Sequence, residues 1–242
     1  MIKLLQSHTS VRKYTNEEIP KEVLHELLLA GQHASSSHFV QAYSVVHVTD
    51  EQKKEELKKW ASNEVQFSTA AVVLVFCADL KRLEKASEMR GEPFEGSTAE
   101  NLLVSVIDTA LFAQNVAVAA ESKGYGICYI GGIRNHIDEI SKLLELPEYV
   151  MPLFGMTMGV PEKRNEVKPR LPLEAVLHEN SYDDSKYESL LKQYDETMNE
   201  YYNKRSTNRK EQAWTDAMAR FFRKPRREHM KQFIKEKGFF LK

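Results

Sequence analysis

The chain has 242 residues, 34 Lys and Arg against 35 Asp and Glu, and 42% hydrophobic content. That make-up fits a globular protein long enough to bury a sizeable core, and a net charge of −1 argues against wholesale nucleic-acid binding. The average hides an asymmetry: residues 203–242 hold 13 Lys or Arg and 4 Asp or Glu, a local +9, which leaves −10 for residues 1–202. The two cysteines, Cys77 and Cys128, sit in apolar runs without metal-ligand spacing and read as reduced, buried thiols of a cytoplasmic protein. Met1–Gln6 is too short an apolar run for a signal peptide.

In chain order, His8-Thr9-Ser10-Val11-Arg12-Lys13-Tyr14 gathers His, Ser and Arg ahead of an acidic run and Pro20. Residues 20–33 carry Val23, Leu24, Leu27, Leu28 and Gly31 at helical spacing, with Pro near the first turn. The polar run Ser35-Ser36-Ser37-His38 ends that helix. Residues 43–48 read as a strand, and residues 50–60 as a charged amphipathic helix capped by Thr49 or Asp50. Residues 70–78 form a continuous apolar run, the mark of a strand buried on both faces. Ser97-Thr98-Ala99-Glu100 has capping-box spacing and opens a helix to about Lys123, with Gly124 as its stop. That helix is about 40 Å long and apolar on nearly every side, so a partner subunit is expected to finish burying it. Ser105, Asp108, Thr109, Gln114 and Asn115 interrupt it and exclude an ordinary membrane span.

Residues 125–130 are a short strand ending in Gly131-Gly132, either a tight turn or a close backbone approach to a ligand. A helix over 135–144, a strand over 150–159 and a Pro-stiffened loop over 163–172 follow. Residues 185–202, 215–222 and 228–237 are helical by period, and Gly238-Phe239-Phe240-Leu241 reads as an edge strand or a docking segment. Strands alternating with helices indicate an α/β or α+β layered sheet. The segments holding Lys168-Pro169-Arg170 and His8–Arg12 lie some 155 residues apart, so only folding brings them together as an anion clamp. The dinucleotide fingerprint, the Walker loop and the zinc-protease motif are absent, and the eight histidines lack ligand spacing.

Taken together, His-x-Ser-Val-Arg-Lys-Tyr at 8–14, the serine loop with Phe39 and Gln41, Tyr129-Ile130-Gly131-Gly132-Ile133-Arg134-Asn135, Pro152–Met156 with Gly159, and Lys168–Pro172 resemble the nitroreductase family. The likeness is narrower still to the NADPH-dependent flavin reductase and oxygen-insensitive major nitroreductase branch, and it covers essentially the whole chain. It implies an α+β fold with a mixed central sheet flanked by helices, the long 97–123 helix at a homodimer interface, and one FMN-binding domain over 1–242. Residues 178–242 would be a C-terminal extension serving the dimer and NADPH. It implies non-covalent FMN, whose phosphate and ribityl chain fall to His8, Ser10 and Arg12 with Lys168 and Arg170. Ser36, with Ser37 and Gln41, would come from the neighbouring subunit, and Tyr129, Ile130, Gly131 and Gly132 would lie along the flavin ring. Where relatives place a flavin-binding Gln this chain has Glu64, which accepts but does not donate unless protonated. Either Gln66 takes over through a small loop shift, or the flavin potential is lowered. Lys204, Arg205, Arg209 and Arg227 would hold the 2′-phosphate of NADPH. The implied activity is ping-pong hydride transfer from NADPH through FMN to nitroaromatics, quinones or free flavin, with no catalytic side chain, no nucleic acid and no membrane. A flavin store or sensor, and a flavin-free binder of an acidic partner, are the competing readings.

Overall fold

The computed structural model describes residues 1–15, 17–204 and 213–239. The described chain divides into two compact units, one of residues 1–165 with 227–242 and one of residues 166–226.

The first unit is built on β2 (Val72–Asp79), whose eight residues are all buried. It pairs antiparallel with β1 (Tyr43–His47) on one side and β4 (Val150–Gly159) on the other, and β4 pairs antiparallel with β3 (Gly126–Ile130). The order β1-β2-β4-β3 places β2 and β4 in the middle. A mixed sheet was expected, but every strand pair among the described residues is antiparallel, because β4 inserts between β2 and β3 and runs opposite to both. The layered α+β class holds.

Alternation along β2 divides the core. Val72, Leu74 and Phe76 face α2 (Lys21–Gln32) and α6 (Ala99–Ser122), while Val73, Val75 and Cys77 face the opposite cluster. That cluster is closed by α3 (Glu51–Ala61), α4 (Glu64–Thr69) and α7 (Ile137–Leu143). Each buried Leu or Phe contributes about 2 kcal/mol, which is why the run carries no polar residue until Asp79. The short α1 (Ile2–Gln6) precedes the His8 segment, and α5 (Lys81–Arg90) follows β2.

Most elements fall within a residue or two of expectation. Asp50 caps α3 through Lys53 N–H at 2.8 Å. The α6 cap sits one residue later than the capping-box reading: Thr98 Oγ1 accepts from Asn101 N–H at 3.1 Å, so Glu100 is not at the reciprocating position. Gly124, at φ +89°, ends α6 in the left-handed conformation. Of the long apolar helix, Phe112, Ala113, Val116, Ala117 and Ala120 are buried, whereas Leu103, Ile107 and Leu111 form an exposed stripe spaced by four. After α10 (Met230–Glu236), Phe239 is fully buried against Ile137, Met151 and Leu153 of its own chain rather than forming a strand. Phe240 and Leu241 lie outside the described residues.

The second unit carries α8 (Tyr187–Lys204) and α9 (Trp214–Phe221). Asp195 of α8 accepts from both the backbone N–H and the hydroxyl of Thr215, and Tyr194 packs edge-on against Trp214.

Candidate functional site

The His8–Tyr14 segment runs beside β3, held by Val11 N–H donating to Ile127 O at 2.9 Å. Tyr14 pins its far end: its buried hydroxyl lies 2.8–2.9 Å from Val11 O, Thr157 O and Thr157 Oγ1. With Val11 and Tyr14 directed inward, Arg12 and Lys13 are left exposed. Lys13 pairs with Glu162. Arg12 has no ion-pair partner among the described residues, yet its charge reaches Cys128 on β3, where it opposes the upward push of burial on the thiol. His8 Nδ1 meets Glu121 Oε1 of α6 at 2.7 Å, a nearly buried carboxylate that fixes the ring and leaves Nε2 for another partner. Ser10 O accepts from Asn165 at 3.1 Å, and the buried Thr9 hydroxyl has no hydrogen-bond partner among the described residues.

The serine loop is held from a different point of α6. Asp108, only 1% exposed, accepts from Ser36 Oγ at 2.7 Å, Ser37 N–H at 3.2 Å and Ala42 N–H at 3.2 Å. Ser36 Oγ in turn accepts from Gln41 N–H at 2.8 Å. Within the loop His38, Phe39 and Gln41 adopt φ of 47°, 58° and 51°. Left-handed backbone costs roughly 1–2 kcal/mol for each such residue, which hydrogen bonds to a charged acceptor, about 1.5–3 kcal/mol each, offset. A groove of about 910 Å³ flanks the loop, lined by Phe39, Gln41, Tyr43, Arg82, His25 and Phe112 among others. None of His8, Ser10, Arg12 or Tyr129–Gly132 lines it.

The two glycines after β3 differ. A Cβ on Gly132 would lie 2.1 Å from Ala61 O at the end of α3, so this position is glycine for packing. A Cβ on Gly131 would meet only the Arg134 side chain, at 3.6 Å, so the backbone here is open to a ligand. The neighbouring Tyr129 ring packs edge-on against Phe154 and its hydroxyl donates to Gln114 at 3.3 Å. Burial, and then Glu121, pushes its phenol pKa up. Glu64 and Gln66 do not lie in a loop. They belong to α4, where residues two apart point about 200° apart around the axis, so a small loop shift does not exchange them. Glu64 is exposed and Gln66 half-buried.

In the second unit, Tyr194 Oη donates to Pro169 O at 2.9 Å and the Lys168 ammonium sits 5.6 Å from the centre of the Tyr202 ring. Arg170 Nη1 donates to Lys168 O at 2.8 Å, and both cationic side chains are exposed. Lys204 pairs with Glu200. Arg227 belongs to the first unit, where Nε and Nη2 donate to Asn135 Oδ1 at 3.0 and 2.8 Å. Arg205 and Arg209 lie outside the described residues.

The sequence pattern of the Nitroreductase family matches residues 5–160, and that of the Nitroreductase family C-terminal domain matches residues 168–242. The chain belongs to the nitroreductase family. It is 56% identical over 236 residues to the Cr(VI) reductase of Pseudomonas sp. (strain G-1), covering 98% of this chain and 97% of that protein. It is 40% identical to the FMN reductase (NADPH) of Bacillus subtilis (strain 168), over 98% and 97% of the two chains. The NfrA1 nitroreductase of B. subtilis superposes with a TM-score of 0.95 at 39% identity, covering 100% of this chain and 99% of that one.

The N-terminal segment of this nitroreductase fits a phosphate. Among the described residues it offers a guanidinium without an ion-pair partner, an imidazole whose outer nitrogen is available, the Ser10 hydroxyl and an orphaned buried hydroxyl at Thr9. Glu64 does not fit a donor role while ionised. Sequence reasoning passed over Asp108 and Glu121 as site residues. The signal was present, since both are acidic residues in a helix apolar on nearly every side.

Proposed function

We propose that this nitroreductase is an FMN-dependent NADPH oxidoreductase serving nitroaromatics, quinones or free flavin by a ping-pong cycle. The name of the Pseudomonas relative adds Cr(VI) to the candidate acceptors. The observation that carries this reading is the pairing of the His8–Tyr14 segment with β3, the strand that leads into the open backbone at Gly131. Likeness over the whole length to an FMN reductase (NADPH) supports it.

Bound FMN would supply the two-electron chemistry between NADPH and the acceptor. Arg12, His8 and Ser10, with Lys168 and Arg170, would hold its phosphate. Arg12 is suited to a two-pronged grip and Lys168 to a point charge. Tyr129, Ile130, Gly131 and Gly132 would offer a flat backbone face to the ring. Ser36, Ser37 and Gln41 would complete the pocket from a second copy of the chain, joined through the Leu103, Ile107 and Leu111 stripe. Glu64 would present an acceptor where a donor is otherwise expected, lowering the flavin potential by charge repulsion. Lys204, Arg205, Arg209 and Arg227 would bind the 2′-phosphate of NADPH. We place the enzyme in the cytoplasm.

Anaerobic titration of the purified protein with NADPH, and separately with NADH, tests the reading through the flavin's visible absorption. Bleaching at about one NADPH per FMN, with NADH much slower, is expected. A yellow protein that neither nucleotide bleaches would make it a flavin store or sensor. A colourless protein that FMN does not reconstitute would overturn the flavin reading itself.

A further inference from the structure

We propose that Asp108 is a positioning residue for the flavin pocket, acting through Ser36 to hold the 36–42 loop in the shape that presents Ser37 and Gln41. The inference rests on the flavin reading above. The Asp108 carboxylate is buried on α6 and takes three donors from the loop: the Ser36 hydroxyl and the backbone N–H groups of Ser37 and Ala42. The Ser36 hydroxyl has one proton, which goes to Asp108, while its oxygen accepts from Gln41 N–H. Ser36 therefore has no proton left to give a ligand and serves as a relay between helix and loop. The outward groups are others. Among the described residues Ser37 Oγ is engaged only with its neighbour His38 at 3.3 Å, and the Gln41 side-chain amide makes a single 3.4 Å bond to Phe39 O.

Three left-handed residues, His38, Phe39 and Gln41, lie between the two ends that Asp108 fastens. None is glycine, so the conformation needs its ties, which are the three bonds to Asp108 and the Arg82 guanidinium donating to Gln41 O at 3.1 Å. A carboxylate suits all three bonds because it accepts at every lone pair. An amide in its place would, in either orientation, direct its NH2 group at one backbone N–H that can only donate, Ser37 at one oxygen position or Ala42 at the other. Asp108→Asn thus keeps the volume of the side chain and removes its fit to the loop.

The test is the FMN dissociation constant, read by quenching of free-flavin fluorescence as apoprotein is added, with the visible circular dichroism of the bound flavin. The set is wild type, Arg12→Ala, Asp108→Asn, Ser36→Ala and the double variant. Asp108→Asn is expected to weaken FMN about ten- to a hundredfold, the worth of one lost hydrogen bond to a charged group, and to alter the dichroism. Ser36→Ala should act in the same direction, and the double variant should be no worse than Asp108→Asn alone, since both cut one relay. If Asp108→Asn does not fold, Ser36→Ala carries the test by itself. Unchanged affinity and dichroism in Ser36→Ala and Asp108→Asn, or additive losses in the double variant, would overturn the proposal while Arg12→Ala still releases FMN. A wild-type protein that binds no FMN would instead overturn the flavin reading and this inference with it.

Discussion

Gly131 and Gly132 stand side by side, yet one methyl group should separate their roles. In Gly132→Ala the new Cβ would start 2.1 Å from Ala61 O, 2.8 Å from Asn63 Oδ1 and 2.9 Å from Ala61 C, where real Cβ atoms keep at least 3.0 Å. The nearest obstacle is backbone at the end of α3, so no rotamer change relieves it, and the two segments must part by about 0.9 Å. Overpacking costs about 1–3 kcal/mol, and an immovable carbonyl places this case near 3 kcal/mol. For a chain of this size that is roughly 6–12 °C in Tm. Gly131→Ala meets only the movable Arg134 side chain at 3.6 Å. It should leave the apoprotein unchanged or about 0.4–1 kcal/mol more stable by restricting the unfolded chain, while weakening FMN by standing where the ring would lie. Urea unfolding of the apoproteins gives the first quantity and fluorescence titration with FMN the second. A Gly132→Ala apoprotein within 0.5 kcal/mol of wild type would refute the packing argument. Undiminished FMN affinity in Gly131→Ala would remove the ring from this backbone.

Arg12→Ala should release FMN, with affinity falling about ten- to a hundredfold for the lost charged hydrogen bonds; retained yellow colour through gel filtration would clear Arg12 of the role. Ile107→Lys sets a charge in the middle of the exposed α6 stripe and should convert a dimer to monomers in analytical ultracentrifugation. An unshifted dimer would put the interface elsewhere. Arg205→Ala should raise the KM for NADPH far more than that for NADH, and equal effects would move the 2′-phosphate site to another part of the basic segment.

The elements that were legible in the sequence are those governed by local period. The β2 run is continuous because both of its faces are covered, and α2 shows its buried Leu24, Leu27 and Gly31 at helical spacing. At the N-terminus only the chemistry was legible: His8, Ser10 and Arg12 are residue types suited to holding an anion. Illegible was what depends on distant partners. That a short helix, not a loop, holds Glu64 and Gln66 on different faces was not legible. Phe239 fills its own core rather than a sheet edge because Met151 and Leu153 arrive from β4, some ninety residues earlier. Glycine freedom and glycine smallness look alike in sequence, and only the Ala61 carbonyl packed against Gly132 shows that smallness is required there. In the sequence Asp108 speaks only against a membrane span, because nothing local shows that a loop 66–72 residues earlier returns to it.

Two carboxylates of α6 anchor the two parts of the proposed pocket, Asp108 for the serine loop and Glu121 for His8. They lie 13 residues apart in the sequence, or about 20 Å along the helix at 1.5 Å per residue. Asp108 holds the loop by three hydrogen bonds of 2.7–3.2 Å and Glu121 holds His8 by one of 2.7 Å, so the loop and the phosphate residues of one chain are held at well-separated points. This favours a pocket that takes its phosphate residues from one copy and its loop from the other, and the arrangement makes a prediction that no single variant does. Chains carrying Arg12→Ala and chains carrying Asp108→Asn, each stripped of FMN as homodimers, should recover flavin when combined as a heterodimer. One pocket then receives both defects and the other receives none, so about one FMN per heterodimer is expected. A pocket built within one chain would leave a defect in each site, and the heterodimer purified through two different tags would stay colourless at the same FMN concentration.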